Sequence, residues 1–199
     1  MARTKGFDEK QALQSAMLLF WKKGYSATSM KELERAMGLN PTSIYNAFGS
    51  KKELFERALQ LYLDTELMRF IHSVENAQTM REALRDLLNA VISLHYNKAH
   101  PGGCMVVLSL LESEQHDKDT QEMLDSALHM LRDTLVKRLK KAQQTNEIKP
   151  SIDIKVFANH VTALVTGIIT LAKAQFTKKE LENLIDSCAD TLLEKYINV

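Results

Sequence analysis

Helix-start signals recur along this chain more regularly than any other pattern. A Ser, Thr or Asp followed three residues later by Glu forms a capping box, in which a side-chain oxygen and a carboxylate bond the free N–H groups of a helix's first turn. Such pairs stand at five expected helix starts: Ser29 with Glu32, Ser50 with Glu53, Thr79 with Glu82, Asp119 with Glu122, and Thr177 with Glu180. The chain is therefore expected to consist mainly of helices.

Helix stops and apolar spacing extend this pattern to the whole sequence. Gly24, Gly38 and Gly49 stand where helices should end, since glycine adopts the left-handed conformation without steric cost. Apolar residues recur at helical spacing between these signals, and we find no alternation typical of a strand. We predict an all-α fold of about nine helices. The predicted helices span residues 8–23, 29–37, 41–48, 50–72, 79–98, 102–114, 119–144, 152–173 and 178–196.

Composition narrows the class of protein. With 45% hydrophobic residues and a net charge of +1, a chain of 199 residues should fold rather than stay disordered. The 7 Gly and 3 Pro are too few turn residues for a many-stranded barrel or sandwich. The two cysteines lie far apart, which argues against a disulfide scaffold, and no metal-ligand spacing occurs. We therefore expect no metal and no cofactor.

The sequence also predicts a cytoplasmic protein without a membrane partner and without enzymatic activity. The basic residues at the start are not followed by an apolar stretch, so no signal peptide is recognised. The longest apolar run, residues 161–172, is shorter than the ~20 residues that span a bilayer. The sequence contains no GxSxG, no HExxH and no glycine-rich phosphate loop, so the common enzyme sites are not indicated.

The first fifty residues carry the clearest functional signal. Two short predicted helices are separated by Gly38-Leu39-Asn40, with Asn40 as N-cap and Pro41 at the first helical position, which is the layout of a helix-turn-helix. The third predicted helix leaves small polar groups, one ring and one amide facing outward, a set that suits the major groove of DNA. These outward residues are Thr42, Ser43, Tyr45, Asn46 and Ala47. A half-buried core ring is the alternative for Tyr45.

Charge is distributed unevenly along the chain. Residues 1–52 contain nine Lys or Arg and four Asp or Glu, a net of +5, which leaves −4 for the rest. This asymmetry places a polyanion-binding surface in the N-terminal segment. Lys51 and Lys52 open a helix, where cations oppose the helix dipole, so a phosphate nearby would explain them. A solvated first turn is the alternative. Arg3 and Lys5 form either an arm that reaches DNA or an ordinary chain end.

Three stretches resemble the DNA-binding domain of TetR-family transcriptional regulators: residues 24–33 (GYSATSMKEL), 36–39 (AMGL) and 43–54 (SIYNAFGSKKEL). The resemblance covers about residues 8–60. It implies a repressor that binds operator DNA as a homodimer and releases it when a small molecule enters the C-terminal domain. By position, the residues that would face DNA are Lys31, Pro41, Thr42, Ser43, Tyr45, Asn46 and Lys51. Ala47 stands where the family commonly has His, which leaves the half-site sequence open.

The rest of the chain is assigned to dimerisation and effector binding. We place the DNA-binding domain at residues 1–52 and the second domain at residues 53–199. The last two predicted helices carry apolar residues on more than one face, which favours a dimeric four-helix bundle. An intramolecular core is the alternative. The predicted dimerisation residues are Val165, Ile168, Leu181, Leu184 and Leu192.

A ligand pocket is expected among the helices between residues 79 and 173. Methionine lining adapts to varied apolar ligands, although Met at helical spacing is also ordinary core. The predicted ligand residues are His95, Tyr96, Cys104, Met105, Leu108, Met123, Met130, Phe157 and Val161. Cys104 follows Pro101-Gly102-Gly103 at an expected helix start, where the pKa of a thiol falls and an electrophile can react with the thiolate. A small-residue helix start without reactivity is the alternative.

These features predict a ligand-responsive transcriptional regulator, a homodimeric repressor that leaves a palindromic operator when a small molecule, or an electrophile at Cys104, acts on the C-terminal domain. Its expected partners are double-stranded operator DNA, a second copy of the chain and a small-molecule effector. The alternative function is a helical adaptor that binds a protein partner without DNA. An adaptor would show no salt-dependent affinity for DNA.

Overall fold

The structure is a computed structural model in which residues 7–196 are described, with residues 190, 193, 195 and 196 described by their backbone alone. Arg3 and Lys5, the two basic residues of the expected arm, lie outside the described residues. Helices and short turns make up the described chain, which confirms the all-α prediction. The helices are α1 (Glu9–Lys23), α2 (Met30–Met37), α3 (Pro41–Phe48), α4 (Lys51–Tyr62), α5 (Met68–Asn76), α6 (Met80–Tyr96), α7 (Met105–Leu110), α8 (Lys118–Gln144), α9 (Ile154–Lys173) and α10 (Lys178–Tyr196).

Two predicted helices differ from the structure in extent. The predicted helix 50–72 contains a π-helical turn, Leu63–Leu67, which divides it into α4 and α5 and raises the number of α-helices in the described residues to ten. The predicted helix 102–114 begins later than expected, because Gly102 and Gly103 adopt φ angles of +76° and +77° and form a turn. The helix that follows, α7, has only 6 residues.

The described chain folds into two compact units. The first contains the chain up to Thr65 together with Met105–Leu124, and the second contains Glu66–Cys104 together with the chain from Asp125 onward. The boundary predicted after residue 52 divides the chain by function and stays a prediction. By packing, α4 belongs with the N-terminal helices, because it lies against α1.

Aromatic side chains form the core of the first unit. The rings of Phe20 and Phe55 pack edge to face with centroids 5.1 Å apart, and Trp21 and Tyr62 do the same at 4.9 Å. All four side chains are almost fully buried. Each aromatic side chain buries about 150–250 Å² of surface, so these two pairs account for much of the apolar burial between α1 and α4. The helix α2 packs against α1, and α3 packs against α2 and α4.

The second unit is built around α6, which packs against α5, α9 and α10. Three predicted dimerisation residues lie in this core, with Val165, Ile168 and Leu181 exposing 5%, 1% and 0% of their surface. These side chains are therefore buried within one protomer, where α6, α9 and α10 pack together, and their role in dimerisation stays a prediction. Leu184 and Leu192 on α10 are half-buried and keep some exposed surface.

One helix in the described part of the chain, α9, is long and apolar enough to cross a membrane, with a mean hydropathy of 1.5. Its Phe157 and Val161 are completely buried against the rest of the second unit. The core helix of a globular protein has the same length and composition, so this helix is a weak sign of a membrane span.

Candidate nucleic-acid interface

The corner between α2 and α3 is formed by the caps that the sequence predicts. Ser29 and Glu32 complete a capping box at the start of α2, and Gly38 ends α2 in the left-handed conformation. The Asn40 side-chain oxygen accepts a hydrogen bond from the Ser43 N–H at 2.8 Å, and Pro41 occupies the first position of α3. These local bonds fix where α3 begins and how it leaves the corner.

The inward side of α3 sets which residues face outward. Ile44 and Phe48 expose 0% and 2% of their surface, so they fix the rotation of the helix about its axis. The opposite side is exposed at four of the predicted DNA-contacting positions, namely Pro41, Thr42, Tyr45 and Asn46. Ser43 is half-buried. Tyr45 exposes 52% of its surface, so its ring lies outside the core.

Basic residues are exposed on α1 and α2, the helices that precede this corner. Lys31 and Arg35 are exposed on α2, and Lys22 and Lys23 are exposed at the end of α1. Lys23 hydrogen-bonds the Glu32 carboxylate at 2.5 Å and, with the Ser29 groups, lowers the pKa of Glu32 to about 2. The negative charge of Glu32 is therefore matched by Lys23. With Lys23 counted, the charged residues Lys31, Glu32, Glu34 and Arg35 of α2 leave a net charge of +1.

Lys51 and Lys52 at the start of α4 have different surroundings from those expected. The Lys51 ammonium lies 4.4 Å from the centroid of the Tyr25 ring, and burial lowers the pKa of Lys51. This position is half-buried, unlike the exposed residues on α3. The structure thus places Lys51 against Tyr25, in the turn between α1 and α2.

Three carboxylates surround the Lys52 ammonium. Lys52 forms an ion pair with Asp117 and lies 3.4 Å from Asp119 and 3.5 Å from Glu56. Hydrogen bonds from Lys52 and from Thr120 lower the pKa of Asp117 to about 2, and the bond to Asp117 raises the pKa of Lys52. Carboxylates of the protein itself therefore neutralise this cation and leave an excess of negative charge around it. Sequence reasoning missed them, because the capping-box pattern assigned Asp119 to a helix start and no pattern singled out Asp117.

Residues 105–124 belong to the first unit and contact the turn between α1 and α2. The Glu112 carboxylate accepts a hydrogen bond from the Tyr25 N–H at 2.8 Å. The His116 ring stacks on Phe55 at 5.0 Å and lies 5.1 Å from the Tyr25 ring. His116 is buried, which lowers its pKa. No local sequence signal pointed to these contacts.

A further contact fixes the end of α3. The Arg57 guanidinium on α4 donates a hydrogen bond to the Ala47 carbonyl at 2.7 Å and lies 4.8 Å from the centroid of the Phe48 ring. Arg57 was not among the predicted site residues. Its position in the sequence, on the outer face of a helix that begins after α3 has ended, gives no sign of this role.

The predicted ligand residues are distributed over both units. Met105, Leu108 and Met123 belong to the first unit, and the other six belong to the second. Four are buried (Cys104, Met105, Phe157 and Val161), three are half-buried (His95, Leu108 and Met123), and two are exposed (Tyr96 and Met130). The His95 ring nitrogen Nδ1 accepts a hydrogen bond from the Gly103 N–H at 3.0 Å, and burial lowers the pKa of His95. The Tyr96 hydroxyl donates to the Phe176 carbonyl at 2.5 Å.

Two cavities lie in the second unit whose lining includes no predicted ligand residue. The larger is an open groove of about 850 Å³ between α8 and α9. The smaller has about 110 Å³ and lies beside Glu66 and Phe70. The ligand assignment therefore stays a prediction.

Comparison with known proteins covers both halves of the chain. Residues 12–58 match the family model of bacterial regulatory proteins of the tetR family, and residues 81–188 match the tetracyclin repressor-like C-terminal domain. The HTH-type transcriptional repressor ComR of Escherichia coli (strain K12) is 29% identical, over 96% of this chain and 90% of ComR. The repressor BdcR of the same strain is 30% identical, over 67% of this chain and 66% of BdcR.

A solved structure is similar over nearly the full length. It contains a cysteine mutant of the TetR family transcriptional regulator CifR complexed with 26-bp double-strand operator DNA. The TM-score is 0.87 and the sequence identity is 27%, covering 98% of this chain and 100% of the CifR chain. The helices of both units thus have counterparts in a protein of known architecture.

Proposed function

This chain belongs to the TetR family of bacterial transcriptional regulators, and we propose that it is a homodimeric repressor that reads a palindromic operator through α3 and leaves it in response to an effector. The main observation in favour of DNA binding is the exposed face of α3. A tyrosine that exposes 52% of its surface on a short helix, with its neighbours Ile44 and Phe48 fully packed, contributes little to the core. Its position is better explained by an external partner.

The residues on this face have the chemistry that DNA recognition requires. The Thr42 hydroxyl and the Tyr45 hydroxyl can bond phosphates or base edges, and the Asn46 amide can bond adenine through both of its groups. Lys31, exposed on α2, adds a charge suited to a phosphate. We assign base contacts to α3 and phosphate contacts to its basic surroundings.

A second copy of the chain is the proposed occupant of the groove between α8 and α9. A palindromic operator needs two reading helices about 34–36 Å apart, which a two-fold dimer provides. The groove has about 850 Å³ and is lined mainly by small or apolar residues and threonines. Its lining comprises Leu128, His129, Arg132, Asn159, Thr162, Ala163, Thr166, Gly167, Thr170 and Leu171. We propose this surface in place of the buried Val165, Ile168 and Leu181, and retain Leu184 and Leu192 as candidates.

The proposed effector response acts through residues 105–124. These residues hold the N-terminal helices through Glu112 and the acids around Lys52. A small molecule that changes the position of this segment changes the support of α2 and α4, and this differential contact is what couples binding to DNA release. An electrophile at Cys104, the residue directly before the segment, is the other proposed effector. His95, Met105 and the remaining predicted ligand residues stay the proposed lining.

Selection of bound duplexes from a random DNA pool by the purified protein tests the proposal. We expect a two-fold palindrome to be enriched, with an affinity that falls steeply as salt increases. Candidate effectors added to the selected complex should then release the DNA. If no duplex is enriched at low salt, the repressor proposal fails in favour of the helical adaptor.

A further inference from the structure

We propose that Arg57 is a positioning residue for sequence readout, which holds the C-terminal end of α3 in the orientation that base recognition needs. This inference rests on the proposed role of α3 in DNA binding. It adds a residue of α4 that neither the sequence patterns nor the predicted contacts assigned to the interface.

The first observation is that α3 is short and weakly closed at its end. The helix has 8 residues, about two turns, and helices of this length are marginal without outside support. The last four carbonyls of a helix have no partner within the helix. Gly49 donates its N–H to the Tyr45 carbonyl at 3.0 Å, and the last turn of α3 contains no basic residue.

Arg57 supplies what the helix end lacks. One guanidinium nitrogen donates to the Ala47 carbonyl at 2.7 Å, and the positive charge lies at the negative end of the helix dipole. The same guanidinium lies 4.8 Å from the centroid of the Phe48 ring, and Phe48 exposes only 2% of its surface. The Arg57 side chain is exposed, and its guanidinium contacts a buried ring and the last turn of α3 at the same time.

The residues held by this contact are those that would read bases. Tyr45 and Asn46 are exposed on the turn that also contains Ala47, so a change in this turn moves both side chains. Hydrogen bonds to base edges depend steeply on distance and angle, whereas phosphate attraction depends weakly on either. Loss of Arg57 should therefore reduce sequence discrimination more than general affinity for DNA.

The test measures the affinity of the full chain for the selected duplex and for a scrambled duplex of equal length, over a range of salt concentrations. The variants are Arg57→Ala, Arg57→Lys, Lys31→Ala as a phosphate-contact comparison, and Lys98→Ala as a charge-matched control on the second unit. We expect Arg57→Ala to lower the ratio of the two affinities about tenfold, part of the discrimination of one base contact. The salt slope should stay at the wild-type value, and Arg57→Lys should recover part of the ratio because it retains one donor and the charge.

Each other outcome has a definite meaning. All variants are compared at a temperature where circular dichroism shows them folded. If Arg57 contributes to stability alone, the ratio of the two affinities will then be unchanged in Arg57→Ala, and this result would overturn the inference. A salt slope that falls by about one in Arg57→Ala, with the ratio preserved, would identify a phosphate contact and also overturn it. If the wild type itself does not discriminate between the duplexes, the proposed function fails, and this inference fails with it. If the wild type discriminates and Arg57→Ala does so equally, only this inference fails.

Discussion

The Tyr25 N–H donates a hydrogen bond to the Glu112 carboxylate at 2.8 Å, and these two residues are 87 positions apart in the chain. The turn after α7 thereby contacts the turn between α1 and α2. A carboxylate oxygen of Glu112 also lies 2.6 Å from where a Cβ on Gly24 would be. Glycine at position 24 and glutamate at position 112 are therefore matched to each other, and together they join residues 105–124 to the helices that carry α3.

Glu112→Ala should destabilise the first unit. The substitution leaves the part-buried Tyr25 N–H without its acceptor, which costs about 1–3 kcal/mol of unfolding free energy. Urea unfolding monitored by circular dichroism measures the change. Glu114→Ala, at an exposed neighbour, should have little effect. An equal loss in both variants would show that the Glu112 contact contributes nothing specific.

Gly24→Ala should destabilise the turn between α1 and α2 for a different reason. Gly24 has φ +82° and ψ 171°, a conformation that is essentially restricted to glycine, so an alanine is strained by about 1–3 kcal/mol. The new Cβ would also displace the Glu112 carboxylate. Combining Gly24→Ala with Glu112→Ala should relieve this second effect, so the two losses should be less than additive. Strict additivity in a double-mutant cycle would contradict the matched pair.

Lys52→Met should remove a pH-dependent stabilisation. Lys52 is the largest of the causes that lower the pKa of Asp117 from 3.8 to about 2, followed by hydrogen bonds from Thr120. The ion pair therefore stabilises the fold above about pH 4, and this effect is lost as the pH falls toward 2. The melting temperature of the wild type should exceed that of Lys52→Met at pH 7, and the difference should shrink across this acid range. Lys118→Met, which removes an exposed pair with Glu122, serves as the control. A difference that is independent of pH would contradict the assignment.

Gly167→Leu should weaken dimerisation without unfolding the protomer. A Cβ at Gly167 meets nothing within 4 Å in the protomer, and replacing a helical glycine favours the helix by up to about 1 kcal/mol. A larger side chain in the groove would instead separate two paired copies. Sedimentation equilibrium should show a shift toward monomer for Gly167→Leu and none for Lys155→Leu, an exposed position in the first turn of α9. Unchanged dimerisation in Gly167→Leu would place the interface elsewhere.

The helices were largely predictable from local signals, although α8 begins at Lys118, one residue before the predicted cap Asp119, and Asp117 accepts a hydrogen bond from the Thr120 N–H. The capping boxes at Ser29, Ser50 and Thr79 all form, because a cap and its partner are only three residues apart. The turn at Gly102 and Gly103 shortened a predicted helix, since positive φ angles at two successive glycines override the apolar spacing that follows.

Contacts between distant segments could not be predicted in the same way. Lys52 and Asp119 are separated by 67 positions. The pattern at each residue is local, a basic first turn at Lys52 and a helix-start signal at Asp119, so neither indicates the other. The burial of Val165 and Ile168 shows a second limit of prediction from sequence. Apolar residues on two faces of a helix indicate burial on both sides, but the pattern does not tell whether the same chain or a second copy provides the cover.

The central claim, that the exposed face of α3 reads DNA, is tested most directly by the affinity of Tyr45→Ala for the selected duplex. Tyr45 exposes 52% of its surface, so its truncation should leave the melting temperature nearly unchanged. We predict that Tyr45→Ala binds the selected duplex about ten to a hundredfold more weakly than the wild type. Leu111→Ala, at a position that exposes 80% of its surface, should bind as the wild type does. A Tyr45→Ala variant that is folded and binds the duplex with wild-type affinity would contradict the account.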